Sequence, residues 1–329
     1  MALRQIDVYL PDSGDPLSNL TDEVSLIDRH TITLTDGRTL ERLLVDETLA
    51  EATIDHLHAQ LTSTDDFRIV VAPVDATLPP PEDQKESTPA KKDEKSTTRI
   101  SREEVYQDMV DTVQITTVYY TLIALSVIVA AGGMLRDNTA VVIGAMVIAP
   151  LIGPNIALGL GTTLADRDLI LQSLRINASG LLMGLALAFG MGLFLPVDPN
   201  QAEIALRTAI GLPDVALALA AGVAGTLAIT QGLGTAIVGV MVAVALVPPL
   251  VAVGLLAGSG EWDLAYQAGL LLVTNVAGVN LAAVLTFLWQ GLRPMSWYQA
   301  ERAKRATRRA VAIWTVIVLV LATAIWMAG

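Results

Sequence analysis

The sequence predicts a polytopic α-helical membrane protein of about seven transmembrane helices in two inverted three-helix repeats, with a small N-terminal α+β domain of ferredoxin-like type. Three observations predict it. Hydrophobic residues make up 53% of the 329, mean hydropathy is +0.54, and beyond residue 114 several uncharged runs reach the roughly 20 residues that cross a bilayer. The stretch Gly144–Gly159 returns 95 positions later as Gly239–Gly254, with seven of sixteen pairs identical, where apolar composition alone would give roughly two. The first 76 residues are instead polar, acidic and patterned like alternating strands and helices.

Residues 3–10 alternate apolar and polar as a half-buried strand does, and 16–28 could form a short helix. Thr31–Leu34, a Thr35-Asp36-Gly37-Arg38 turn and Leu40–Val45 read as a hairpin, because Asp-Gly supplies the positive φ that such turns need. Residues 47–61 place Leu49, Ile54, Leu57 and Leu61 on one helical face, and Phe67–Val74 closes as a last strand. The order βαββαβ gives the ferredoxin-like expectation for 1–76. His30, His56 and His58 are the three histidines, and His56 and His58 point apart on a helix, so surface positions are expected rather than a metal pair. No metal site and no cofactor are expected.

Residues 77–100 are proline-rich and charged, the composition of a flexible linker. Ser101-Arg-Glu-Glu104 resembles a capping box that starts a helix leading to the membrane, with Tyr119 and Tyr120 near the interface. Within the membrane domain, 101–292, spans are expected at about 115–134, 139–160, 170–195, 214–231, 235–257 and 265–290. A basic loop, 293–309, precedes a last span at about 310–328. That loop holds Arg293, Arg302, Lys304, Arg305, Arg308 and Arg309, so the positive-inside rule makes it cytoplasmic. Counting back puts the N-terminal domain inside, the acidic Asp198 and Glu261/Asp263 loops outside, and the C-terminus outside. The expected location is the cell membrane. The repeat units, about 115–195 and 214–291, contain three crossings each, so the second is inverted relative to the first.

Charge is unevenly divided. Residues 1–112 carry 24 Asp+Glu against 11 Lys+Arg, a net of −13, while the remainder is +1. An acidic head with four lysines does not bind nucleic acid through phosphates. It suits ordinary solubility or a salty, halophilic cytoplasm, in which dense carboxylates keep a protein hydrated. With no cysteine, disulfides and thiolate chemistry are excluded.

The strings Gly132–Pro154, Ala221–Gly225, Val244–Pro249 and Thr274–Asn280 resemble an uncharacterised hydrophobic-domain family of archaeal and bacterial membrane proteins, domain of unknown function number three-eighty-nine. The resemblance covers roughly residues 100–292. It implies a polytopic membrane protein, often with a small N-terminal domain, and leaves substrate and reaction open.

The candidate substrate- or ion-binding residues cluster at the two repeated breaks. Pro150, Pro154, Pro248 and Pro249 should free backbone carbonyls or kink their helices, and Gly144, Gly153 and Gly239 flank them. Freed polar groups persist in a bilayer only where protein buries them or water reaches them. Asn155 abuts the first break, and Asn275 and Asn280 lie deep in the sixth span, where an amide needs a partner. Asn177 and Gln231 sit nearer span ends. Glu203 and Arg207 are spaced as an i,i+4 ion pair. Spans two, five and six lack ionisable residues, which argues against a proton relay and for carbonyls, amides and hydroxyls as ligands. Arg175 is expected to snorkel to the interface. Gly180 and Gly184 form a small-residue pair that lets helices approach, within the chain or in a homo-oligomer.

The leading expectation is therefore a transporter or channel for a small solute or ion, with the lipid bilayer as its setting. The alternative is a non-transporting membrane sensor or scaffold whose cytoplasmic domain binds a ligand or partner. An enzyme is not expected, since no nucleophile, paired carboxylate or metal-ligand set occurs in the membrane half.

Overall fold

The computed structural model describes residues 3–11, 26–61, 66–74, 102–232, 246–292, 311–312, 314–323 and 325. The chain divides into two compact units, Met1–Val105 and Tyr106–Gly329.

In the first unit, strands β1 (Leu3–Leu10), β2 (Asp28–Thr33), β3 (Thr39–Asp46) and β4 (Arg68–Val74) form one sheet in the order β2-β3-β1-β4, with α1 (Glu47–Leu61) between β3 and β4. All three pairings are antiparallel, and Ile6 stands opposite both Leu43 and Val71. This is the strand order that a βαββαβ chain builds; the helix expected at 16–28 lies almost wholly outside the described residues. The hairpin turn falls at Asp36-Gly37, where Gly37 takes φ 87° and Leu34 N–H donates to Arg38 O at 2.8 Å. Ile6, Val8 and Leu10 pack with Leu43, Val45 and the Ala50, Ile54, Leu57 and Leu61 face of α1. Asp7 faces Arg42 directly across β1 and β3, and both carboxylate oxygens accept from the guanidinium at 2.8 Å. That guanidinium holds the Asp7 carboxyl below the usual carboxylate range. His30 is exposed, His58 meets the edge of Phe67, and no metal-binding cluster of three His, Asp or Glu occurs among the described residues. At the end of this unit Arg102 reaches Asp55 at 2.8 Å and Glu104 reaches Arg4 at 3.2 Å.

The second unit is helical. Helix α2 (Arg102–Thr112) leads into α3 (Thr117–Met134), α4 (Thr139–Ile148), α5 (Ile152–Leu164), α6 (Arg167–Phe194), the single turn α7 (Ala202–Ala205), α8 (Leu212–Thr230), α9 (Val247–Gly258), α10 (Trp262–Trp289) and α11 (Trp314–Thr323). Helices α3, α6, α8 and α10 are long and apolar enough to cross a membrane. Helices α4 and α5 qualify only as a pair, bent by 51° across a short break. Among the described residues the count is thus four spans, or five with the bent pair, against seven expected. The shortfall has a local cause. Helix α9 has 12 residues and the chain before it, 233–245, lies outside the described residues, while α11 is a short apolar helix.

The 95-residue offset recurs in the helix boundaries. Helices α3, α5 and α6 begin at 117, 152 and 167, and α8, α9 and α10 begin at 212, 247 and 262. It extends to single hydrogen bonds. Ala165 closes α5 at φ 57° with Asp166 N–H on Gly161 O at 2.8 Å; Gly260 closes α9 at φ 91° with Glu261 N–H on Leu256 O at 2.9 Å. These are left-handed helix ends of Schellman type, in which two backbone donors satisfy the last carbonyls.

Helix directions follow from the contact registers. Tyr119 and Ile123 of α3 meet Gly180 of α6, and Val127 meets Gly184, so these helices run together. Asn155 of α5 meets Asn177 while Gly161 meets Ile170, so α5 and α6 run oppositely. Between the two halves, Gly159 packs on Ala283 where α5 runs along α10, and Gly254 packs on Ala188 where α9 runs along α6. Residues 159 and 254, and residues 188 and 283, are repeat mates, so one contact is the repeat image of the other.

Candidate functional site: a buried asparagine relay at the helix break

The break between α4 and α5 has a sequence cause. Ala149 precedes Pro150, whose ring disfavours a helical neighbour, and Ala149 accordingly turns extended at φ −72°, ψ 121°. Helix α5 restarts at Ile152 and takes Gly153 and Pro154 into its first turn, where a missing N–H costs no helical hydrogen bond. Pro248 and Pro249 likewise occupy the first turn of α9. Pro154, Pro248 and Pro249 thus sit in first turns, and Pro150 lies in the bend itself.

The other candidates divide. Gly144 is exposed, and a side chain there would meet nothing within 4 Å. Gly153 lies tight against Thr112, where an added Cβ would come within 2.9 Å of the Thr112 Cβ. Pro150 is half-buried, Pro248 and Pro249 are buried, and Gly239 lies outside the described residues. The close approaches between the halves run through α5 on α10 and α9 on α6.

Helix α5 is buried from Ile152 to Thr163, and its polar centre is Asn155, 2% exposed. Asn155 Nδ2 donates to Leu151 O at 2.8 Å and to Asn177 Oδ1 of α6 at 2.9 Å. Asn280 Nδ2 of α10 donates to Asn155 Oδ1 at 3.0 Å and to Val276 O at 2.8 Å. Three helices are tied by one chain of amides, with 125 residues between Asn155 and Asn280. Its polarity is fixed. Leu151 O and Val276 O are pure acceptors, so the amide atoms facing them are nitrogens, and every other oxygen and nitrogen in the relay is then assigned.

Fixed polarity leaves two open ends. Asn177 Nδ2 and Asn280 Oδ1 are buried without a hydrogen-bond partner among the described residues. Ser173 Oγ, one turn before Asn177 on the same face of α6, and Thr274 Oγ1 on α10 are in the same condition. Asn275 is also buried, five positions before Asn280. Charged groups keep away: Arg175 is exposed, and Glu203 is buried against Arg207 at 3.0 Å, as the i,i+4 spacing predicts. Outside the spans, Tyr106 O–H donates to Asp166 Oδ2 at 2.7 Å, while Asp166 Oδ1 caps the start of α6. The carboxylate and burial push the Tyr106 phenol up to about 12.

Sequence reasoning singled out Asn155 and Asn280 but ranked Asn177 below them. The usable signal was the helix-turn-helix at 152–194, since an antiparallel return brings the early part of α6 back beside the start of α5.

A family model for a domain of unknown function, DUF389, matches residues 146–281. The chain is 34% identical over 255 residues to the uncharacterised protein MJ0678 of Methanocaldococcus jannaschii, an alignment covering 78% of each chain. No solved structure matches. The matched segment holds all three relay asparagines and both breaks, and the relative spans most of the chain: the protein belongs to the DUF389 family of membrane proteins.

Proposed function

We propose that this protein is a transporter or channel for a small solute, without a catalytic step, built from two inverted repeats that meet around the asparagine relay. One observation carries the reading. A hydrogen-bonded amide chain, open at both ends among the described residues, crosses three helices beside a backbone break. Buried amides cost free energy unless paired, and intramembrane polar groups beside broken helices are the usual makings of a solute site.

Inversion is supported by helix direction. Helix α10 runs with α5, which runs against α6, so α10 opposes its repeat mate α6. Helix α8 runs with α10, since Ala218 meets Gly278 and Gly222 meets Ala282, just as α3 runs with α6. The two halves therefore oppose each other. We further propose seven crossings, a cell-membrane location, a cytoplasmic N-terminal unit and an external C-terminus, on the strength of the basic 293–309 loop.

The test is flux into proteoliposomes holding purified protein, screened over neutral solutes, cations and anions. Flux above protein-free liposomes that is lost in Asn155→Leu supports the reading. Silence across the panel, together with a phenotype that survives Asn155→Leu but not deletion of residues 1–76, replaces it with the sensor or scaffold reading.

A further inference from the structure

The duplication should have produced two copies of every interior feature. The packing core obeys: the Gly159–Ala283 contact has its image in Gly254–Ala188. The relay does not. The repeat mates of Asn155, Asn177 and Asn280 are Leu250, Leu272 and Leu185. Leu250 is buried, and it lies against Gly184 where α9 meets α6, the repeat image of the α5–α10 contact. One of the two interfaces between the halves, α5–α6–α10, thus carries a polar seam where its repeat image, α9–α10–α6, presents leucine. A seam needed only to hold helices together would serve at either interface, and leucine does that work at the other one. The asparagines are a specialisation of one side.

The open ends also limit what the seam accepts. Asn177 Nδ2 needs an acceptor, Asn280 Oδ1 needs a donor, and Ser173 and Thr274 hydroxyls take either. Among the described residues from Thr117 to Trp289, charged side chains sit in connections or at helix starts, apart from the exposed Arg175. A dehydrated cation seeks about six oxygens, and an unpaired buried ion costs far more than one amide and two hydroxyls return. A neutral molecule bearing both a donor and an acceptor can satisfy both kinds of open end without that cost.

Resting on the transport reading above, we propose that the Asn177–Asn155–Asn280 relay is a single, one-sided binding seam for a small uncharged solute carrying both hydrogen-bond donor and acceptor groups, of the urea, amide or polyol class. The solute's acceptor meets Asn177 Nδ2 and its donor meets Asn280 Oδ1.

The experiment measures entry of urea, acetamide and glycerol into proteoliposomes by light scattering, with potassium and chloride flux measured on the same vesicles. Wild type is compared with Asn177→Leu, Asn280→Leu and Ser173→Ala. The expected result is neutral-solute entry that falls about tenfold in each leucine variant, the equivalent of one lost hydrogen bond. Ser173→Ala falls a few-fold while its thermal unfolding is unchanged or raised, because the hydroxyl it removes has no partner to lose among the described residues. This variant keeps the test valid if a leucine variant fails to fold. Ion flux that depends on the same residues overturns the neutral class and leaves the transport reading standing. Neutral-solute entry indifferent to all three substitutions overturns the seam. Silence for every solute and ion overturns both.

Discussion

Exchanging the two residues of the Gly159–Ala283 contact tests the interlocked halves most sharply. A Cβ added at Gly159 would lie 2.7 Å from the Ala283 Cβ, but 3.5 Å from the next atom, Val284 N. At the mate position, a Cβ on Gly254 would overlap the Ala188 Cβ and still lie 2.8 Å from Phe189 N and 2.9 Å from the Ala188 carbonyl carbon. Gly159→Ala gains about 0.5–1 kcal/mol of helix propensity and loses about 1–3 kcal/mol to overlap, a net loss of about 1–2 kcal/mol. Adding Ala283→Gly removes the clashing methyl and returns the propensity gain, so the double variant should lie within about 0.5 kcal/mol of wild type. Gly254→Ala should lose about 2 kcal/mol or more, and Ala188→Gly should not rescue it, because the remaining obstruction is backbone. The assay is reversible unfolding of the four variants and two doubles in mixed micelles. Equal rescue at both sites, or rescue at neither, refutes the reasoning.

Asn155→Leu removes three hydrogen bonds worth about 0.6–1 kcal/mol each and should cost about 2–3 kcal/mol in the same unfolding assay. Glu203→Gln leaves the half-buried Arg207 without its counter-charge and should cost about 1–3 kcal/mol, read as a lower unfolding midpoint in the variant than in wild type. Tyr106 carries a pH signature. Its phenol is raised to about 12 from an ordinary 10, so the folded state keeps a proton that the unfolded state loses. That contribution is fully present below pH 10 and disappears as pH rises to about 12. Wild type should therefore lose stability across that window relative to Tyr106→Phe, measured as midpoint against pH.

The internal duplication was legible because glycines and prolines mark backbone requirements directly, and the same 95-residue offset governs where helices begin. Asn155 and Asn280 were legible as buried amides by hydropathy. Asn177 ranked lower because its place near a span end hid its role, which shows only when the antiparallel return of α6 along α5 is followed residue by residue. The prolines announced breaks or kinks, and the first of them is a bend of 51° with Pro150 inside it, while Pro154, Pro248 and Pro249 stand in first turns. Gly144 was conspicuous in the repeat, yet no neighbour approaches it.

The exchange of packing partners bears on synthesis. Helix α5 finishes its cross-half contacts only on α10, and Asn155 waits 125 residues for Asn280. While the ribosome is still adding the second triplet, the first sits in the translocation machinery with an amide unsatisfied and a glycine face bare. A nascent chain stalled before residue 280 should accordingly be held by membrane chaperones or degraded, whereas one released just beyond it can close.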